Sequence, residues 1–153
     1  MRAVLQRVRQ ARVEVDGRMV GAIGQGLLVL VGVEEGDGPG DVTYIAGKIR
    51  DLRIFDDDGA ADGRVRMNRS VVDVNGAALV VSQFTLAADC RKGRRPSFDR
   101  AAAPDEARRL YQEVVATLRE TGVTVQTGEF QAAMLVTLEN DGPVTFVLES
   151  RRA

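Results

Sequence analysis

Leu27-Leu28-Val29-Leu30-Val31-Gly32-Val33 is an apolar run set between the Gly24-Gln25-Gly26 break and an acidic, Gly-rich loop over 34–40. It reads as a strand covered on both faces, so the chain must supply apolar material for two sides of a sheet. It is far too short to span a bilayer. Upstream, Val4, Gln6 and Val8 alternate with Ala3, Leu5 and Arg7, as in a strand. Arg12–Val15 then leads to Asp16-Gly17, a hairpin signal with Met19–Ile23 as its return strand.

Val42, Ile45, Ala46, Ile49 and Leu52 fall at helical spacing, predicting a helix over 41–51 with Asp41 as N-cap. Arg53-Ile54-Phe55 reads as a short strand. Asp56-Asp57-Asp58-Gly59 lacks the spacing of a calcium loop and reads as a solvated turn. Val71–Val74 leads to Asn75-Gly76, a second hairpin signal, with Ala77–Leu86 as the return strand. Pro104, followed by Asp105 and Glu106, opens a second helix. Its stripe is Ala107, Leu110, Tyr111, Val114, Val115 and Leu118, and Gly122 ends it. Strands follow at Val123–Val125 and Met134–Leu138. Asn140-Asp141-Gly142-Pro143 turns in what reads as a hairpin, and Val144–Leu148 finishes the sheet. The expected fold is α/β: mixed, mainly antiparallel, layered sheets with two main helices, in one domain over 1–153.

The chain has no histidine and one cysteine, Cys90. Ser-His-Asp and Cys-His catalysis are therefore impossible, and a zinc site would lack ligands. No metal or cofactor is expected. Any reaction rests on carboxylates, Lys, hydroxyls, backbone dipoles or the substrate itself. A single cysteine allows no internal disulfide, as suits a reducing cytoplasm. Arg2 and Arg7 break the first residues, which therefore read as no signal peptide, and no membrane association is expected. A net charge of −1 gives no global attraction to nucleic acid, so a local basic patch would have to provide it.

Three places invite chemistry. In Val80-Val81-Ser82-Gln83-Phe84-Thr85-Leu86, hydroxyls and an amide crowd the end of an apolar strand, where ligand sites are often built; alternatively they only bond nearby backbone. Arg91, Lys92, Arg94 and Arg95 surround Gly93, either gripping phosphates or forming a solvated loop. Phe98, close behind, is expected in the core rather than stacked on a base. Gly142-Pro143 is either an ordinary turn or a cis peptide that turns successive carbonyls in a direction a trans turn cannot. Arg7, if its side of the strand is buried, needs a carbonyl or carboxylate partner.

Gln6-Arg7-Val8, the run from Gly21 to Val33, Ser82-Gln83-Phe84-Thr85-Leu86, Arg95-Pro96-Ser97-Phe98 and Asn140-Asp141-Gly142-Pro143-Val144-Thr145 occur in this order. Over essentially its full length the chain resembles the bacterial and eukaryotic D-aminoacyl-tRNA deacylases, without departure inside these motifs. Residues 35–70 and 150–153 diverge. The resemblance implies a cytoplasmic homodimer that hydrolyses the ester between a D-amino acid and the 3′ end of tRNA, and that also clears glycine from alanine tRNA. It implies a site at the dimer interface, where a cis Gly142-Pro143 enters the partner's pocket and excludes L side chains, with Arg7 holding that motif. It assigns Ser82, Gln83, Phe84 and Thr85 to the catalytic pocket, and Phe130 and Met134 to the cradle of the terminal adenosine.

Thr85 as nucleophile lacks an evident base. The preferred mechanism uses backbone N–H groups of Phe84-Thr85 for the oxyanion and the ribose 2′-hydroxyl to help activate water. The rivals are a non-catalytic nucleic-acid-binding module using Arg91–Arg95, and a hydrolase of D-amino-acid esters or peptides that needs no RNA.

Overall fold

The structure is a computed structural model describing residues 1–59 and 61–151. The tail of the divergent C-terminal stretch, 152–153, lies outside the described residues. In chain order the elements are β1 (Arg2–Val15), β2 (Arg18–Ile23), β3 (Gly26–Gly32), α1 (Pro39–Asp51), β4 (Phe55–Asp56), β5 (Met67–Arg69) and β6 (Ala77–Ser82). A 3-10 turn (Phe84–Ala87), α2 (Pro104–Glu120), β7 (Thr124–Thr127) and β8 (Leu135–Glu149) complete them.

The main sheet runs β2-β1-β3-β6-β7, with β8 also paired to β1. The two expected N-terminal strands are one, β1. Its Arg2–Val8 half pairs with β3, its Ala11–Val15 half pairs with β2, and β8 pairs along nearly all of it. These pairings are antiparallel; β3–β6 and β6–β7 are parallel, and β4–β5 form a separate antiparallel pair. Each parallel pair is joined by a crossover containing a helix, as parallel neighbours require.

The apolar run behaves as its sequence demands. Leu27, Val29 and Val31 pack with Ile45 and Ile49 of α1 and Leu110, Val114 and Leu118 of α2. Leu28 faces the other way, into a second cluster with Val8, Val13, Leu79 and Val81, against which Met134, Val136 and Leu138 pack. Every expected stripe residue of α2 is buried. Each such Leu or Val contributes about 1.5–3 kcal/mol.

Several local expectations are corrected. The first helix starts at Pro39, not 41; Asp41 sits in its first turn and accepts the Gly38 N–H at 2.9 Å. The strand expected at Arg53–Phe55 shifts to Phe55–Asp56, because the Ile54 carbonyl is taken by Arg7 at 2.9 Å. Val71–Val74 and Asn75-Gly76 make no hairpin. Ser70 and Asp73 cap each other, Ser70 N–H to Asp73 Oδ2 at 2.8 Å and Asp73 N–H to Ser70 Oγ at 3.2 Å, and wind the segment into a helical turn. Asn75, at φ 53°, ends it. The strand from Ala77 stops at Ser82 rather than Leu86. Asn140–Pro143 is no hairpin tip: both flanks belong to β8 and pair with β1. No helix among the described residues is long and apolar enough to cross a membrane.

Candidate active site

β6 and β3 run parallel, and the Gln83 N–H extends their ladder to the Val31 carbonyl at 2.8 Å. The backbone then tightens into the 3-10 turn. Gly32 permits this: a Cβ there would lie 2.8 Å from Leu86 Cβ and 2.9 Å from the Gln83 carbonyl oxygen. The first N–H groups of such a turn have no partner within it. Among the described residues the N–H groups of Phe84 and Thr85 donate no hydrogen bond.

Beside this turn lies a cleft of ≈ 580 Å³, a size that suits a small ligand. Ser82, Gln83 and Phe84 form one wall; Phe130 and Met134 belong to the opposite one. The start of α2, with Ala101, Ala102, Pro104 and Ala107 in and before it, forms a wall that the sequence reading missed. No lining residue is ionisable. Thr85 does not line the cleft; its Oγ1 accepts a hydrogen bond from Gln83 Nε2 at 2.6 Å, and an amide is no base.

Phe130 is held between Tyr111, at 6.1 Å between ring centroids, and Arg108, whose guanidinium lies 4.8 Å over the ring. The Tyr111 hydroxyl donates to the Val80 carbonyl at 2.7 Å, tying α2 to β6 two residues before Ser82. Burial pushes the Tyr111 phenol up to about 12.

Arg7, Gly142 and Pro143 come together away from this cleft. Opposite β1, Gln6 pairs with Thr145 and Val8 with Asn140, so Asp141–Val144 stand against Arg7 alone, as an extended bulge of four residues against one. Arg7 is 7% exposed, on the side of Ala3 and Leu5. Its Nε donates to the Asp141 carbonyl at 3.0 Å; Nη1 donates to the Ile54 carbonyl at 2.9 Å and to Asp56 Oδ1 at 3.3 Å. A buried guanidinium needs such partners. Asn140 braces the bulge from within: its Oδ1 accepts the Val144 N–H at 2.9 Å, and its Nδ2 donates to Thr145 Oγ1 at 3.0 Å. Its Asx chemistry was visible in the sequence, its target was not. The Gly142-Pro143 peptide is cis, with Gly142 at φ 135°. Both residues are exposed.

Arg91, Lys92, Arg94 and Arg95 lie in an exposed loop closed by the Asp89–Ser97 bridge. Arg91 donates to Asp89 and holds that carboxyl well below the usual range. Lys92, Arg94 and Arg95 make no ion pair among the described residues. Phe98 is not in the core: it is 41% exposed and rests against Phe84. Backbone bonds on either side fix its main chain.

The family model for D-Tyr-tRNA(Tyr) deacylase matches residues 4–149. A D-aminoacyl-tRNA deacylase of Syntrophotalea carbinolica is 62% identical over 152 residues, covering 99% of each chain. One of Heliobacterium modesticaldum is 61% identical over 151 residues, covering 99% of this chain and 97% of its own. Among solved structures, a c-Myc DNA unwinding element binding protein superposes with a TM-score of 0.92 at 38% identity, covering 99% of this chain and 100% of that one. A probable eukaryotic D-amino acid tRNA deacylase superposes with a TM-score of 0.77 at 18% identity, over 96% and 97% of the two chains, a likeness of fold.

Proposed function

The chain belongs to the D-Tyr-tRNA(Tyr) deacylase family, and from that membership we infer how its cleft works. It is a hydrolase that cleaves the ester of D-aminoacyl-tRNA to free D-amino acid and tRNA. The observation that carries the mechanism is a cleft without one ionisable lining group, beside two backbone N–H groups without partners among the described residues. Water attacks the ester carbonyl. The oxyanion accepts from the Phe84 and Thr85 N–H groups, and the ribose 2′-hydroxyl relays the water's proton to the departing 3′ oxygen as the acyl C–O bond breaks. Such preorganised donors in a dry site contribute on the order of 3–4 kcal/mol each. An aminoacyl ester is labile enough for positioning to supply much of the rest. Ser82 and Gln83 shape the wall, and Phe130 and Met134 cradle the terminal adenosine.

The site is completed by a second copy of the chain. Its own Gly142-Pro143 does not line its own cleft, while this motif stands exposed on a braced bulge. Among the described residues β8 pairs only with β1 and leaves Leu135 and Val147 63% and 68% exposed, an edge that asks for cover. In the homodimer the motif of one subunit faces the cleft of the other as a backbone wall near the α-carbon. Such a wall rejects L substrates by obstruction and ignores side-chain identity. It equally admits glycine, which has no side chain, so glycyl-tRNA(Ala) is also cleared. The reaction takes place in the cytoplasm, with the Arg91–Arg95 loop holding tRNA phosphates.

The test is deacylation of matched D- and L-charged tRNA, with a small D-amino-acid ester alongside. D-aminoacyl-tRNA should be cleaved and L-aminoacyl-tRNA spared across several side chains; equal cleavage of both enantiomers refutes the reading. A second reading, nucleic-acid binding without catalysis, draws on the exposed cations and on the solved structure of a DNA unwinding element binding protein. It predicts salt-sensitive binding, indifference to Gly142→Ala and no ester hydrolysis.

A further inference from the structure

Phe84 and Phe98 are 57% and 41% exposed, their ring centroids 5.2 Å apart with planes tilted 54°. Both phenyl rings are left partly in water and so forgo part of the stabilisation that full burial would give. The backbone on both sides of Phe98 is nevertheless fixed. Asp89 and Ser97 exchange N–H···O bonds of 2.8 and 2.9 Å, and the Phe98 carbonyl accepts from the Ala101 N–H at 3.0 Å. Phe98 is thus held outward by its main chain.

The loop that leads to it, 90–96, places Lys92, Arg94 and Arg95 in solvent, without ion-pair partners among the described residues, while Arg91 is neutralised by Asp89. Exposed aromatic rings beside unpaired cations are the recognition chemistry of single-stranded nucleic acid: rings stack bases and cations hold phosphates. A symmetric contact with a second copy of this surface would instead bring like charges together. Position names the nucleotide. Phe84 lines the cleft and Phe98 lies one ring farther out.

We propose that Phe98, with Phe84 behind it, is the stacking platform for the nucleotide immediately 5′ of the terminal adenosine, its phosphates met by Lys92, Arg94 and Arg95. This rests on the cleft taking the aminoacylated 3′ end. The platform reads a base face and not a base edge, so it tolerates any base at that position.

Three D-aminoacyl esters test it: on adenosine, on cytidylyl-adenosine, and on the same dinucleotide with an abasic 5′ residue. Wild-type protein should cleave the cytidylyl-adenosine ester about tenfold more efficiently than the abasic one, the gain expected of one stacked base. Uridine in place of cytidine should keep most of that gain. In Phe98→Ala the cytidylyl and abasic esters should be cleaved with equal efficiency, and Phe98→Trp should restore the difference. The platform is refuted if wild-type protein treats the cytidylyl and abasic esters alike, or if Phe98→Ala preserves their ratio. Should wild-type protein cleave none of the three esters nor D-aminoacyl-tRNA, the reading of the cleft itself fails. A variant that misfolds leaves the wild-type comparison standing as the test.

Discussion

Thr85 and Asn140 show how far a side chain's chemistry depends on its partners. Thr85 carries the hydroxyl that a nucleophilic mechanism would choose, yet it is bonded to an amide and lies outside the cleft lining. Thr85→Ala should keep its fold, with turnover within about tenfold of wild type, since its backbone N–H remains. Activity as low as that of an inactive enzyme, with intact circular dichroism, would make Thr85 a nucleophile. Esters on 2′-deoxyadenosine should react poorly, and undiminished turnover on them would remove the ribose from the mechanism. Asn140 touches no cleft atom, but its two side-chain bonds hold the ends of the bulge that displays Gly142-Pro143. On the proposed function it acts as a positioning residue for discrimination. In Asn140→Ala, cleavage of L-aminoacyl-tRNA should rise relative to D, by about tenfold or more, because a displaced wall no longer obstructs the L side chain. Gly142→Ala acts at the motif itself: a Cβ would lie 2.6 Å from Val144 Cγ2 and 3.2 Å from Arg7 Nη2, at a φ that L residues rarely adopt. It should loosen the same ratio and also lower Tm. An unchanged D-to-L ratio in both variants would place discrimination elsewhere.

Tyr111 ties one element to another where it matters for the cleft. Its phenol, pushed up to about 12 by burial, has an ordinary value near 10 in an unfolded chain. The fold therefore favours the neutral phenol; that stabilisation is complete below about pH 10 and is lost as pH climbs through 12. Tyr111→Phe should cost about 1 kcal/mol at neutral pH through the lost bond to Val80 and should flatten the fall of Tm between pH 10 and 12. Parallel curves for the two proteins would clear Tyr111 of that role. At this scale the sequence was legible where the signal is local: the continuous apolar run of β3, the periodic apolar face of α2 and the Asp16-Gly17 turn could be read directly. It misled where two local signals compete. Asn75-Gly76 has hairpin chemistry, but the Ser70–Asp73 cap upstream makes it the end of a helical turn, and β6 then pairs in parallel with β3 rather than back onto its neighbour. Asn140–Pro143 likewise looks like a strand-ending turn; that it is a bulge within β8 depends on β1, far away in sequence. The cleft residues from Ser82 to Phe84 were legible as polar groups at a strand end. The α2 wall was not, because Ala101, Ala102, Pro104 and Ala107 carry no chemistry of their own to flag.

The whole molecule poses the question of which cleft each Gly142-Pro143 serves. Within one chain the motif is moored through Arg7 to Ile54 and Asp56, while the cleft is walled by the 3-10 turn, the start of α2 and the segment from Phe130 to Val136. If the wall comes from the partner, the two defects can be separated onto different subunits and then recombined. One chain would carry Gly142→Ala with an intact cleft. The other would keep Gly142 but have its cleft filled by Ala132→Trp, a half-buried lining position away from both large core clusters. Dimers of the first kind alone discriminate poorly, and dimers of the second kind are inactive. After exchange of subunits in equal amounts, about half of the live clefts should face an intact Gly142, since random pairing makes half of the dimers mixed. Only the other half should still cleave L-aminoacyl-tRNA, so cleavage of the L ester per live cleft should fall by about half. If each motif guards the cleft of its own chain, mixing changes nothing, and the same lack of change follows if the chains do not associate; light scattering on the mixture tells those two outcomes apart. Partial recovery of discrimination on mixing, absent from either protein alone, has no explanation within a single chain and would establish the shared site.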